Sequence, residues 1–145
     1  MKQTQKLGWL MALVMFFAGS TTSFSQTLKE FFSSSETPTV YLGIDFTKAR
    51  LINSLTANPM DIKNRIYRSI NDVVVNEPKK FDFIGAFHKT SVSTDLTAVH
   101  ARNEKVNAEE IISSKSEDFN RLKESDMASI AKGLNISGKK GVGIL

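Results

Sequence analysis

An alternating run that begins at Thr39 places the strongest limit on how this chain can fold. Alternation of apolar with other residues is typical of a β-strand with one buried face, above all where β-branched and aromatic side chains take part. We predict a strand from Thr39 to Thr47 that extends through Ile52 after a bulge near Lys48. Its inward-facing residues are Val40, Leu42, Ile44 and Phe46.

A helix is predicted next, between Asn58 and Pro78. Asn58 is a favourable N-cap residue, Pro59 suits the first helical position, and Asp61 complements the helix dipole. Asp61 is also spaced for a weak i,i+4 ion pair with Arg65. The apolar stripe of this helix consists of Ile62, Ile66, Ile70 and Val73 or Val74.

The remaining elements are predicted from shorter sequence patterns. Residues 79–89 fit either a helical turn or an edge strand, residues 91–100 alternate as a second strand, and an irregular connection follows. A capping-box pattern at residues 114–117 precedes a predicted helix, which Gly133 or Asn135 can end in the left-handed conformation. The apolar stripe of that helix consists of Phe119, Leu122, Met127, Ile130, Ala131 and Leu134.

This order of elements indicates an α/β or α+β domain, in which amphipathic helices pack on a single layer of sheet. Residues 141–145 begin an apolar strand that stops with the chain. This favours a fragment of a longer gene product, incomplete at the C-terminus, and the alternative is a last strand that docks into the sheet. We assign residues 26–38 to a flexible lead-in and residues 39–145 to one globular domain.

Residues 1–25 have the pattern of a secretory signal peptide. Lys2 and Lys6 precede an apolar run, residues 7–18, that is shorter than the roughly 20 residues of a membrane-spanning helix. Small side chains at Ser23 and Ser25 predict cleavage before Gln26. A short N-terminal anchor or a buried helix is the alternative. We therefore expect an exported protein, periplasmic or secreted, with no permanent membrane span after cleavage.

Composition excludes several classes of function. The chain has no cysteine, which excludes disulfides, thiolate catalysis and cysteine-ligated zinc. Removing Lys2 and Lys6 from the 19 basic residues leaves 17 against 15 acidic residues, and the two signs alternate along the chain. Nucleic-acid binders concentrate basic residues on one face, so we expect no nucleic-acid partner.

Motifs for catalysis or cofactor binding are weak. Residues 133–140 match the phosphate-binding pattern G-x-x-x-x-G-K-[ST] except at the last position, where Lys140 replaces the hydroxyl residue. They also follow a predicted helix instead of a strand. No nucleophile elbow is present. His100 and Glu104 would share a face only if their segment were helical, and the predicted strand separates them. We expect no metal and no cofactor, and we interpret His88 and His100 as surface or hydrogen-bonded residues.

One candidate site follows from architecture. Ligands of α/β sheets bind beyond the carboxyl ends of parallel strands, so residues after the two predicted strands would meet at one edge if those strands are parallel neighbours. Such a basic cluster suits an anionic ligand or partner, and ordinary polar loop residues are the alternative. The cluster consists of Lys48, Arg50, His100, Arg102 and Asn103.

The leader ending in Ser-Phe-Ser-Gln, the lack of cysteine and the stretch YLGIDFTKARLI at residues 41–52 resemble small exported proteins of the Bacteroidetes that have no assigned function. The resemblance implies a bacterial protein of the periplasm or medium and supplies no catalytic residue. Our leading hypothesis is a non-enzymatic domain that binds a protein partner or associates with the cell envelope. The alternatives are a small hydrolase or transferase with its site at the strand ends, and a subunit that folds only with another chain.

Overall fold

The computed structural model of the chain describes residues 28–134 and 140–145. Strands and helices are mixed in this part of the chain, which confirms the predicted α+β class. The sheet is divided into two small sheets, both of parallel strands. In the first, β1 lies between β3 and β5, and in the second β2 pairs with β4. The strands are β1 (Thr39–Tyr41), β2 (Leu51–Ile52), β3 (Ser93–Thr94), β4 (Ile112–Ser113) and β5 (Val142–Ile144).

Helices surround these strands. A π-helical segment, Ile62–Ile66, joins α2 to α3, so that residues 59–76 form one continuous helix, which we call the central helix. Two 3₁₀ turns lie at Ala108–Glu110 and Ser116–Asn120. The α-helices are α1 (Leu28–Ser33), α2 (Pro59–Asp61), α3 (Tyr67–Asn76), α4 (Phe83–Phe87), α5 (Thr97–Asn103) and α6 (Glu124–Lys132).

Two clusters of buried apolar side chains form the core. One lies at the first sheet and combines β1 with α5 and the end of α6, through Val40, Leu42, Val99 and Leu134. The other lies below the central helix and contains Tyr67, Val106 and Ile111, with Phe46 and Ile62 packed against it.

β1 is shorter than predicted, and it is buried on both faces. Thr39, Val40 and Tyr41 are all about 95% buried, as is usual for a central parallel strand, so the half-buried alternation is wrong here. The chain leaves the sheet at Gly43, which has a φ of 102°. Ile44 then lies at the surface, and the predicted extension to Ile52 is the separate strand β2.

The start of the central helix is confirmed, and its predicted apolar stripe is confirmed in part. Ile62 packs against the second core cluster and Val74 is buried, as predicted. Asn58 Oδ1 accepts hydrogen bonds from the N–H groups of Met60 and Asp61, as expected of an N-cap. The buried positions of α3 are Tyr67, Asn71 and Val74, and its Ile70 and Val73 are exposed. A π turn contains more residues than an α turn. The buried face of α3 is therefore rotated from the position that a constant period of about 3.6 residues per turn predicts.

The second predicted strand is confined to Ser93–Thr94, because residues 97–103 form helix α5 instead. The Asp95 carboxylate accepts a hydrogen bond from the Thr97 N–H at the start of this helix. Val99 and Asn103, four residues apart, are both buried. A short alternating run does not separate strand from helix, and packing of this face against β1 decides between them.

Residues 28–33, predicted as part of a flexible lead-in, form helix α1 and pack on the domain. The Phe31 ring is buried and lies 5.8 Å from the Phe87 ring, centroid to centroid. The buried Lys89 ammonium donates hydrogen bonds to the carbonyl oxygens of Phe31 and Ser34. The ambiguous segment 79–89 contains helix α4, which supplies Phe87.

The C-terminal part differs from the prediction in detail. The helix begins at Glu124, where the Asp126 carboxylate accepts a hydrogen bond from the Lys123 N–H, and not at the pattern at residues 114–117. Phe119 is 80% exposed and lies outside the packed stripe. Gly133 ends the helix with a φ of −79°, in the right-handed region, and Asn135 lies outside the described residues. Val142–Ile144 pairs with β1 as a parallel strand.

The predicted signal peptide, residues 1–25, lies outside the described residues. Within residues 28–134 and 140–145, no helix combines the length and the apolar character that crossing a bilayer requires.

Candidate functional site

A cleft of about 330 Å³ separates the central helix from α5. Its volume is at the small end of the range of ligand-binding pockets. The central helix contributes Lys63, Asn64, Tyr67 and Arg68, and the end of α5 contributes His100, Asn103 and Glu104.

The side chains that the central helix contributes to the cleft come from the π-helical segment and the turn that follows it. Lys63 and Asn64 belong to this segment, and Tyr67 and Arg68 follow it directly. π-helical turns occur frequently at functional sites. The ring of Tyr67 is held by a parallel stack on Phe46, with centroids 4.3 Å apart and 4° between the planes. Burial raises the pKa of the Tyr67 phenol, and the positive charge of Arg50 partly opposes that rise.

A pair of buried asparagines fixes the other wall of the cleft. Asn103 on α5 accepts a hydrogen bond from the Phe46 N–H at 2.7 Å and donates one to the Ile44 carbonyl at 3.0 Å. Asn71 on the central helix accepts from the Ile44 N–H and also donates to the Ile44 carbonyl. The segment after β1 is thereby tied to both helices, which sets their spacing.

An ion pair strengthens the same junction. The Asp45 carboxylate, with 2% of its side chain exposed, accepts a hydrogen bond from Arg102 Nε at 2.6 Å. It also accepts from the Thr47 N–H and hydroxyl. Every oxygen of this buried carboxylate is therefore bonded, as burial of a charge requires.

The basic side chains that line the cleft have no carboxylate bound to them in the described residues. Among the residues that the structure describes, Lys63 and Arg68 take part in no ion pair. In contrast, Arg65 on the same helix binds the Asp61 carboxylate through two hydrogen bonds, which lower the pKa of Asp61. Two cations with unoccupied donors at one cleft favour an anionic ligand.

His100 also lines the cleft. Its Nε2 atom is buried and has no hydrogen-bond partner in the described part of the chain. Buried polar atoms without a partner are uncommon in proteins, and this one has no accessible surface through which a ligand in the cleft could reach it. Glu104 lies one helical turn further on and is the acidic member of the lining.

The structure brings together only some residues of the predicted edge. β1 and β3 are indeed parallel neighbours, and His100 and Asn103 reach the cleft beyond them. Arg102 forms an ion pair with Asp45. Lys48 is exposed and does not line the cleft. Arg50 binds Glu110 at 2.6 Å in a separate surface depression beside β4.

Sequence reasoning missed Lys63, Tyr67 and Arg68 because it interpreted the polar face of the central helix as solvated. It also placed His100 and Glu104 apart, since it assigned their segment to a strand. Helix α5 brings both to one cleft. The one available signal was the four-residue spacing of His100 and Glu104 itself.

No cluster of three or more potential metal-ligating side chains occurs in residues 28–134 and 140–145. Comparisons with protein-family models, with curated proteins and with solved structures find no match to the chain. The resemblance to exported Bacteroidetes proteins therefore stays a prediction.

Proposed function

We propose that the protein is a non-enzymatic binding domain that holds the anionic group of a small ligand, a carboxylate or a phosphate, in the cleft between the central helix and α5. The observation that supports this is that Lys63 and Arg68, both without an ion-pair partner in the described residues, line the same cleft.

The geometry favours a small ligand over an extended surface. A volume of about 330 Å³ accommodates one compact molecule, and the rigid stack of Tyr67 on Phe46 gives the cleft a fixed floor. Charged hydrogen bonds from Lys63 and Arg68 would supply affinity, and Asn64 would supply a neutral contact at the rim. Glu104 would repel ligands whose negative charge extends to its side of the cleft.

Titration of the protein with inorganic phosphate and with succinate, followed by amide NMR shifts, tests the proposal. We expect saturable shifts at residues 63–68 and 100–104, with one of the two anions bound more tightly. Chloride at equal ionic strength should not reproduce them. The double variant Lys63→Gln, Arg68→Gln should weaken binding by about tenfold or more, which corresponds to about 1.4 kcal/mol.

Arg65→Gln is the matched control, because Arg65 lies on the same helix but is bound to Asp61. It should leave the affinity unchanged. Equal weakening in Arg65→Gln, or identical shifts with chloride, would show unspecific attraction to the positive surface and would contradict a built site.

We also propose that the protein acts outside the cytoplasm, in the periplasm or the medium, on the basis of the leader pattern at residues 1–25. Intact-mass measurement of exported protein should give a chain that begins at Gln26. A mass that retains Met1 would contradict cleavage.

A further inference from the structure

The cleft between the central helix and α5 carries opposite charges on its two walls. Lys63 and Arg68 line it from the central helix, and Glu104 lines it from the end of α5. Arg68 and Glu104 are exposed and Lys63 is half-buried, so a small molecule has access to all three. The cleft therefore presents a cationic side and an anionic side to the same ligand.

These opposite charges do not neutralise one another. Among the residues that the structure describes, Glu104 forms no ion pair with Lys63, with Arg68 or with any other cation. In contrast, Asp61 and Arg65 on the exposed side of the central helix are joined directly. The gap across the cleft is too wide for a direct pair, and it leaves room for a molecule that carries charges of both signs.

Stabilisation of helix α5 does not explain the position of Glu104. The helix ends at Asn103, and Glu104 is its C-cap residue. The C-terminus of a helix carries partial negative charge, so a carboxylate is unfavourable there and a cation is favourable. A positive group of a ligand, placed beside Glu104, would remove this disadvantage.

A ligand with charges of one sign complements only one wall of the cleft. A dianion would place its second negative charge near Glu104, and a dication would place a positive charge near Lys63 and Arg68. A zwitterion, with one group of each sign, complements both walls. The volume of about 330 Å³ accommodates a compact molecule of this kind.

We infer that the ligand of the cleft is a small zwitterion, whose carboxylate or phosphate binds Lys63 and Arg68 and whose ammonium group binds the Glu104 carboxylate. The ammonium contact rests on the proposed function, because it adds a second charged group to the anion that the cleft holds. Glu104 then determines specificity, since it selects an amine-bearing anion over the same anion without the amine.

Titration with pairs of probes, followed by amide NMR shifts at constant ionic strength, tests the ammonium contact. Each pair is an amine-bearing anion and the same anion without the amine: glycine and acetate, γ-aminobutyrate and butyrate, phosphoethanolamine and ethyl phosphate. We expect at least one amine-bearing anion to bind about threefold to fivefold more tightly than its partner, the size of an exposed charge pair. The first two pairs differ in the spacing of the charges, and the last replaces the carboxylate by a phosphate.

Glu104→Gln should invert the preference. Without this carboxylate, an ammonium group in the cleft meets only the repulsion of Lys63 and Arg68, so the amine-free anion should bind more tightly. Glu109→Gln is the matched control, since Glu109 is also an exposed glutamate but does not line the cleft. It removes the same charge and should bind every probe as the parent does.

The outcomes separate the zwitterion from the proposed function. If no probe gives saturable shifts, the proposed function fails and the zwitterion fails with it. If the amine-free anions bind but no amine-bearing anion exceeds its partner, only the zwitterion is overturned. The same holds if folded Glu104→Gln keeps the preference of the parent, because the advantage of the amine then arises elsewhere.

Discussion

At the scale of single residues, the junction between β1 and the two helices depends on side-chain amides. Asn71 is fully buried, and its side chain bonds both the N–H and the carbonyl of Ile44. No strand pairs with this segment in the described structure, so the amide replaces the ladder that a neighbouring strand would supply. An apolar residue of similar size would leave both groups of Ile44 without that partner.

Asn71→Ala should therefore lower the free energy of unfolding by about 2 to 4 kcal/mol, because the Ile44 N–H loses its partner, the Ile44 carbonyl keeps only the bond from Asn103, and a small cavity forms. Urea unfolding followed by circular dichroism measures this. Asn76→Ala is the control on the same helix, since Asn76 is exposed. It should change the stability by less than about 0.5 kcal/mol. Equal effects in the two variants would contradict the role of the Asn71 amide.

At the scale of elements, the sequence predicts helices where local chemistry defines them. The cap at Asn58, the proline at the next position and the pair of Asp61 with Arg65 act within one or two turns, and all three are confirmed. The phase of the buried face is not local. The phase depends on the π-helical segment, and the spacing of the isoleucines does not reveal its extra residue per turn.

The candidate cleft could be predicted from the sequence only in part, because it depends on which elements pack together and not on local chemistry alone. The parallel pairing of β1 with β3, on which the predicted edge depended, is present, and His100 and Asn103 line the cleft from helix α5. Lys63 and Arg68 lie on the polar face of the central helix, and only the packing of α5 beside that face makes it one wall of a cleft. Arg102 was predicted as part of the basic edge, but Asp45, four residues after the end of β1, binds it.

The C-terminal strand gives a prediction at this scale. Gly141 has a φ of 108°, and a Cβ atom at this position would overlap the Pro38 carbonyl oxygen, which accepts the Val142 N–H. Gly141→Ala should therefore detach β5 from β1, at a cost of at least the roughly 1 to 2 kcal/mol of a left-handed residue.

Hydrogen exchange at the Leu42 amide measures this detachment, because that N–H donates to the Ile144 carbonyl at 2.8 Å. It should exchange faster in Gly141→Ala and at the parent rate in Lys140→Ala, which changes the exposed neighbouring residue. An unaltered Leu42 rate in Gly141→Ala would show that the backbone accommodates the side chain.

At the scale of the whole molecule, the two tyrosines of the chain report on both halves of the core. Tyr41 lies on β1 between Val40 and Leu42 of the first cluster, and Tyr67 belongs to the second cluster. Burial raises the pKa of both phenols. The folded protein therefore contains no tyrosine expected to ionise at its ordinary value of about 10.

The sign of the pH dependence follows from this. A group whose pKa is raised by folding contributes stability that is fully present below its unfolded pKa, here about 10, and that is lost as the pH rises through its folded pKa. We expect tyrosinate absorbance to stay low past that pH and then to rise together with the loss of circular dichroism. In concentrated urea the absorbance should instead rise near pH 10, as for free tyrosine.

Single phenylalanine variants separate the two contributions. Tyr41→Phe and Tyr67→Phe should each halve the absorbance change, and each should move alkaline unfolding to higher pH, because one ionisation no longer favours the unfolded state. If one variant titrates near pH 10 while its circular dichroism is unchanged, the remaining tyrosine is accessible in the folded protein. That result would contradict the burial of that tyrosine in the core.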